Sequence, residues 1–135
     1  MSDDPSRGAA TELTLVIPAA NDHIRFARLM ASAVAARLGF DFDTIEDLRI
    51  AVSELCTVVT EGASRGDLTL TYSGDSDGMR ITGHASVVPG SPAPEAPGEL
   101  TRQILEAVTD DHTFELDTAE VNFTLFRRAM PPSTT

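Results

Sequence analysis

The chain has 135 residues and a formal net charge of -11. That length suits one domain with a real core. The acidic balance argues against binding a nucleic-acid backbone, which needs a basic surface, and favours a basic protein partner. No stretch approaches the ~20 apolar residues of a membrane span. The acidic, polar start lacks the pattern of a signal peptide, so a cytoplasmic protein is expected. Cys56 is the only cysteine, which excludes an intrachain disulfide and predicts a buried, inert thiol.

Residues 1–10 are polar and are expected to be disordered. Residues 11–18 alternate Leu13, Leu15 and Ile17 against Glu12, Thr14 and Val16, the pattern of a strand. A short connection follows, with Asn21 or Asp22 as the expected N-cap. Residues 23–38 read as a helix with Ala27, Met30, Val34 and Leu38 on one face, carrying Arg25, Arg28 and Arg37. Residues 39–42 make the turn into a second, longer helix.

That helix, over residues 43–63, organises the chain. Asp43 and Glu46 have the spacing of a capping box. Leu48, Val52, Leu55 and Val59 share one apolar face, and Gly62 is a natural stop. Beside that face runs a second stripe of Asp47, Ala51, Glu54, Val58 and Glu61.

After Gly66 the period changes to two. Leu68, Leu70 and Tyr72 mark one strand, residues 74–78 a hairpin loop, and residues 79–87 the returning strand. Four prolines between residues 88 and 98 make a loop. Residues 99–109 read as a helix with Leu100, Ile104, Leu105 and Val108 inward. Two last strands, 113–116 and 120–128, are joined by a turn at 117–119, and residues 129–135 form a tail. The order β-α-α-β-β-α-β-β predicts an α/β (α+β) two-layer sandwich over residues 11–128. Its sheet is expected to be single, mixed and mainly antiparallel, with the helices packed on one face.

Asp47-Leu-Arg-Ile-Ala-Val-Ser-Glu54-Leu-Cys-Thr57 resembles the N-box helix of the anti-sigma factor serine kinases, bacterial switch proteins related to gyrase and histidine-kinase ATPase domains. The segment from Gly98 to Asp111, followed by two strands, is similar to that family's Gly-x-Gly-Leu helix and terminal hairpin. The resemblance covers residues 11–128. It implies an ATP- and magnesium-binding fold, a sigma factor and a STAS-type anti-anti-sigma protein as partners, and a homodimer. It places Glu54 at the base that prepares attack on ATP. It places Val58 where the family's asparagine ligates magnesium, and Thr57, Gly98 and Leu100 at remnants of the nucleotide site.

The sequence departs from the family at the nucleotide. A valine offers no oxygen to magnesium, a hard cation that takes oxygen ligands. The family's Asp-x-Gly-x-Gly box is due soon after Ile81, but residues 83–90 hold no aspartate. No Lys or Arg lies between Arg80 and Arg102, and the prolines there remove N–H donors from any phosphate cradle. Glu99 would repel a phosphate. The expected protein is therefore an anti-sigma-like binding protein with ATP binding weak or lost, no metal site and no resident cofactor.

Two alternatives stand beside that reading. One is an active serine/threonine kinase that phosphorylates the anti-anti-sigma partner. The other is a non-catalytic dimerisation or scaffold domain. For Glu54 the bland reading is a solvated carboxylate on an amphipathic helix. His23, His84 and His112 have no second ligand at a recognisable spacing, so structural or solvated roles are expected of them.

Overall fold

A computed structural model describes residues 10–61, 64–87, 89–90, 95–117 and 119–129. The order is β1 (Thr11–Pro18), α1 (Ile24–Arg37), α2 (Phe42–Glu61), β2 (Ser64–Asp75), β3 (Gly78–Val87), α3 (Glu99–Val108), β4 (Asp111–Leu116) and β5 (Glu120–Arg128), with a 3-10 turn at Asn21–His23 before α1. This is the expected order. The sheet runs β1-β2-β3-β5-β4. Expected as mixed and mainly antiparallel, it is antiparallel at each of these pairings.

The strand alternation separates two faces. Leu13, Tyr72, Ile81 and Leu125 form one transverse row, Leu15, Leu70, Gly83 and Phe123 the next, and Ile17, Leu68, Ala85 and Val121 the third. The helices cover this face. Tyr72 donates its hydroxyl to the Ala27 carbonyl of α1 at 2.9 Å. Leu48, Val52, Leu55 and Val59 of α2 are buried in the same core, as is Leu105 of α3. Ala27, Ala31 and Ala35 recur at four-residue steps on α1 and are wholly buried. Their small side chains let that helix approach closely.

Among the described residues the opposite face carries no helix, and it is mostly polar. Thr14, Thr71, Thr82, Thr124 and Thr113 stand in one row across all five strands. Antiparallel sheets commonly leave one face in water, and cross-strand threonine pairs suit such a face.

The ends of the helices differ from expectation in instructive ways. α1 has no side-chain cap; Asp22 instead accepts from His23 Nδ1 at 3.0 Å. At its other end Phe40 N–H donates to Ala35 O and Gly39 N–H to Ala36 O, each at 3.1 Å. This is a Schellman closure, and it needs the left-handed backbone that Gly39 supplies at φ 83°. α2 begins one residue earlier than expected. Its cap is Asp41, whose carboxylate accepts from Thr44 N–H at 2.8 Å, so Asp43 and Glu46 form no capping box. Glu46 pairs with Arg49 at 2.7 Å instead. Gly62, the expected stop, lies outside the described residues.

α3 also corrects the sequence reading. Leu105 is fully buried, but Leu100 is 71% exposed. The helix is seated by its C-terminal half, where Leu105 and Val108 meet the core, so its first turn projects beyond the packed layer.

Cys56 is fully buried, as expected. Burial pushes its thiol up to about 12, against a smaller opposing pull from the Arg28 guanidinium. The thiolate is the reactive form. Native protein at pH 8 should therefore leave a thiol-specific chromogenic reagent unreacted, and unfolding in denaturant should release one thiol per chain. Rapid labelling without denaturant would show that the α1–α2 seam opens.

Candidate functional site

α2 presents two flanks beside its buried face. Toward α1, Ser53 accepts from Arg28 Nη1 at 3.0 Å. On the other side of the helix, Asp47, Glu54, Val58 and Glu61 follow at helical steps. This stripe looks toward α3, because Asp47 is held at the α3–β4 corner described below. Glu54 and Val58 are half-buried there, one turn apart. The Glu54 carboxylate makes no hydrogen bond or ion pair among the described residues. Thr57 spends its hydroxyl on the Ser53 carbonyl at 2.8 Å.

Gly98 precedes α3 in extended backbone, φ -70° and ψ 175°. A Cβ there would meet nothing within 4 Å, so no close approach demands glycine. Glu99 occupies the first turn, where the helix dipole would otherwise favour an external anion. The remaining expected contact, Leu100, points into solvent. Thus the fold places Glu54 and Val58 together on α2. Thr57 lies on the same helix with its hydroxyl bonded to the backbone, and Gly98 and Leu100 stand at the start of α3.

In the middle of β3, Gly83 has a packing role. A Cβ on it would stand 2.3 Å from the Phe123 ring of the neighbouring strand. The ring lies over the glycine and fills the place of its missing side chain. His84 points to the open face. It shares a 2.8 Å hydrogen bond between its Nδ1 and Asn122 Oδ1, and its Nε2 is 3.9 Å from Glu120 Oε1. The isolated histidine of the sequence is thus a partnered one. Among the described residues no three His, Cys, Asp or Glu side chains gather as a metal site.

Sequence reasoning missed Arg127. Its guanidinium reaches Asp47 Oδ2 at 3.1 Å and Asp110 Oδ2 at 3.4 Å. It therefore ties α2 to β5 and to the α3–β4 corner. The available signal was a charged residue continuing the inward series Val121, Phe123, Leu125 on β5. Asp110 also accepts from Arg128 N–H at 2.6 Å. That backbone bond first, then Arg127, hold its carboxyl below the usual carboxylate range, with burial opposing. A depressed native pKa adds stability above the unfolded value, and that stability is lost as pH falls through the native value. Asp110→Asn should therefore destabilise the protein at pH 6, and the gap from wild type should narrow by pH 3 in urea titrations. An equal gap at both pH values would remove Asp110 from the acid response.

Two surface features complete the inventory. α1 carries three arginines and no acid, with Phe26 42% and Leu29 61% exposed. The Arg25 guanidinium lies over the Phe26 ring at 5.2 Å. This face is basic and apolar on a strongly acidic chain. An open cavity of about 470 Å³ lies elsewhere, lined by Glu12, Ser73, Asp75, Asp77, Arg80 and Phe126 among others. Glu54 is not among its lining residues. Among the described residues no helix is long and apolar enough to cross a membrane.

Comparison with known proteins agrees with this architecture. The chain's residues 17–120 match the model of the histidine kinase-like ATPase domain. It is 41% identical over 58 residues to the serine-protein kinase RsbW of Bacillus subtilis, covering 43% of this chain and 36% of that protein. The RsbW of Bacillus cereus is 34% identical over 73 residues, covering 52% and 46%. The matched stretch thus spans less than half the length of these relatives. The crystal structure of the RsbU and RsbW domains of Rv1364c from Mycobacterium tuberculosis shares the fold. The TM-score is 0.70 at 18% identity, with 90% of this chain and 33% of that one covered. The chain belongs to the histidine kinase-like ATPase domain family, and serine-protein kinases RsbW are among its relatives.

Proposed function

We propose that this protein is an anti-sigma factor that holds a sigma factor by surface contact, is countered by a STAS-type anti-anti-sigma protein, and has weak or lost ATP binding. The observation that carries the proposal is the chemistry of the α2 stripe. Val58 stands one turn from Glu54, where a magnesium ligand would be needed, and brings no oxygen. Asp47, the next carboxylate on the stripe toward the N-terminus, is committed to Arg127. Both features weigh against magnesium-ATP at this stripe.

The partner face is α1. Arg25, Phe26 and Leu29 combine charge with exposed apolar area. Such a surface suits an acidic, amphipathic segment of a sigma factor, with complementary charge speeding encounter and fixing orientation. Purified sigma factors and STAS proteins from the same cell provide the test by calorimetry. One sigma factor should bind without nucleotide, Arg25→Glu should weaken it, and a STAS protein should displace it. No binding to any of them would refute the proposal. A kinase remains the second reading, favoured by a Glu54 carboxylate that has no partner among the described residues and by the name that the relatives carry.

A further inference from the structure

His84 and Glu120 sit together on the open face of the sheet, on the side away from the helices. β3 and β5 pair with His84 opposite Asn122 and Ser86 opposite Glu120. His84 and Glu120 are therefore diagonal neighbours on one face, a separation that long side chains span. Of the imidazole 44% is open to solvent, and of the glutamate side chain 50%. Both stand on paired strands, so their spacing is set by the ladder and not by a loop. The Asp117 carboxylate accepts from Glu120 N–H at 2.8 Å and fixes the start of β5.

The state of the imidazole follows from its partner. Asn122 Oδ1 is an amide oxygen and can only accept. It therefore takes the Nδ1 proton of His84, at 2.8 Å. Neutral His84 then presents its Nε2 lone pair. Nε2 lies 3.9 Å from Glu120 Oε1, too far for a hydrogen bond. A tetrahedral ion bound at about 2.0–2.2 Å by nitrogen and oxygen sets those two atoms roughly 3.3 Å apart. A small movement of the exposed Glu120 side chain closes that gap. An oxygen that holds Nδ1–H while Nε2 meets a cation is the usual outer shell of a metal-bound histidine.

We propose that His84 Nε2 and Glu120 Oε1 bind a divalent first-row transition ion such as zinc, with Asn122 orienting the imidazole. Imidazole suits zinc, nickel and copper, whereas magnesium and calcium take oxygen ligands. Two protein ligands leave the remaining positions to water, so the ion exchanges with solvent. The chain's charge of -11 draws cations to its surface without choosing among them. The fixed imidazole supplies the choice. His112 lacks this arrangement. Its Nδ1 faces the Thr109 hydroxyl at 3.4 Å, a group that can donate or accept and so fixes no tautomer. The site lies across the sheet from α2, so it stands or falls apart from the function proposed above.

Titration of the untagged chain with zinc at neutral pH, followed by imidazole NMR signals and by calorimetry, tests the site. The His84 signals should shift first and saturate at a single zinc per chain, and excess magnesium should leave them in place. His84→Ala should abolish saturable binding. Asn122→Ala should weaken it by about ten- to a hundredfold, the usual loss for an outer-shell partner, and Glu120→Gln at least as much. His112→Ala should leave it unchanged. Glu120→Gln preserves side-chain size, so the answer does not depend on His84→Ala staying folded. No saturable binding in wild type, unchanged affinity in any of the three site variants, or His84 and His112 signals shifting together would overturn the proposal.

Discussion

Leu55→Ala is expected to lower the free energy of unfolding by ~2–5 kcal/mol, the range for emptying a packed core position. Leu55 sits at the centre of the buried face of α2, with Leu48, Val52 and Val59 on either side, and has no exposed surface. It lies between helix and sheet, where Leu68, Leu70, Ile81 and Phe123 are also closed to solvent. Interiors are packed at crystal-like density, so these neighbours can collapse only partly into the space left behind. Glu54→Ala, one residue away, is the internal contrast. Its carboxylate has no partner among the described residues, so its loss should fall within about 0.5 kcal/mol, the usual range for changes away from special features. Urea titrations of both variants would measure the difference. A Leu55→Ala effect below about 1 kcal/mol would mean that this face of α2 is not the core.

That contrast shows what was legible in the sequence. The α2 face could be read because four apolar residues recur at helical steps with nothing to compete. β1 and β5 could be read because alternation over eight or nine residues specifies strand and face together. The expected start of α2 failed because Asp43 and Asp41 are both competent caps, and the choice depends on how Gly39 and Phe40 close α1, a matter of three-dimensional path. Leu100 failed for another reason. Periodicity places it on the apolar side of α3, but burial requires an opposing layer, and the packed layer ends before the first turn. Arg127 was invisible as a clamp because its two carboxylates come from α2 and the α3–β4 corner, distant in the chain.

The site was legible only in part. Glu54 and Val58 lie on one helix, so their spacing fixes their relation before any tertiary contact. Thr57 is on the same helix, yet its hydroxyl had a local alternative in the Ser53 carbonyl, a common fate for threonine in a helix. Gly98 and Leu100 depend on how a proline-rich connection delivers α3. Its residues 88 and 91–94 lie outside the described residues, and composition does not determine its course.

Titration with magnesium-ATP should show no saturable heat below about millimolar. Several independent deficits lead to this expectation. Val58 replaces an oxygen ligand with a hydrocarbon, and magnesium holds near-octahedral oxygen coordination. Residues 83–90 offer no carboxylate to read adenine, and an unmade hydrogen bond at a buried site costs ~1–3 kcal/mol. Glu99 sets a negative charge at the N-terminus of α3, where a phosphate would otherwise gain from the dipole. The chain's net charge of -11 adds a long-range repulsion of the triphosphate. At about 1.4 kcal/mol per decade, two such losses move a micromolar site toward millimolar. The proposed binding of a protein partner through Arg25, Phe26 and Leu29 uses none of these groups and should persist in the same sample. A micromolar dissociation constant for magnesium-ATP would reverse the reading. So would transfer of labelled phosphate to a STAS protein that disappears in Glu54→Ala, because the Glu54 carboxylate on α2 would then be acting as a base.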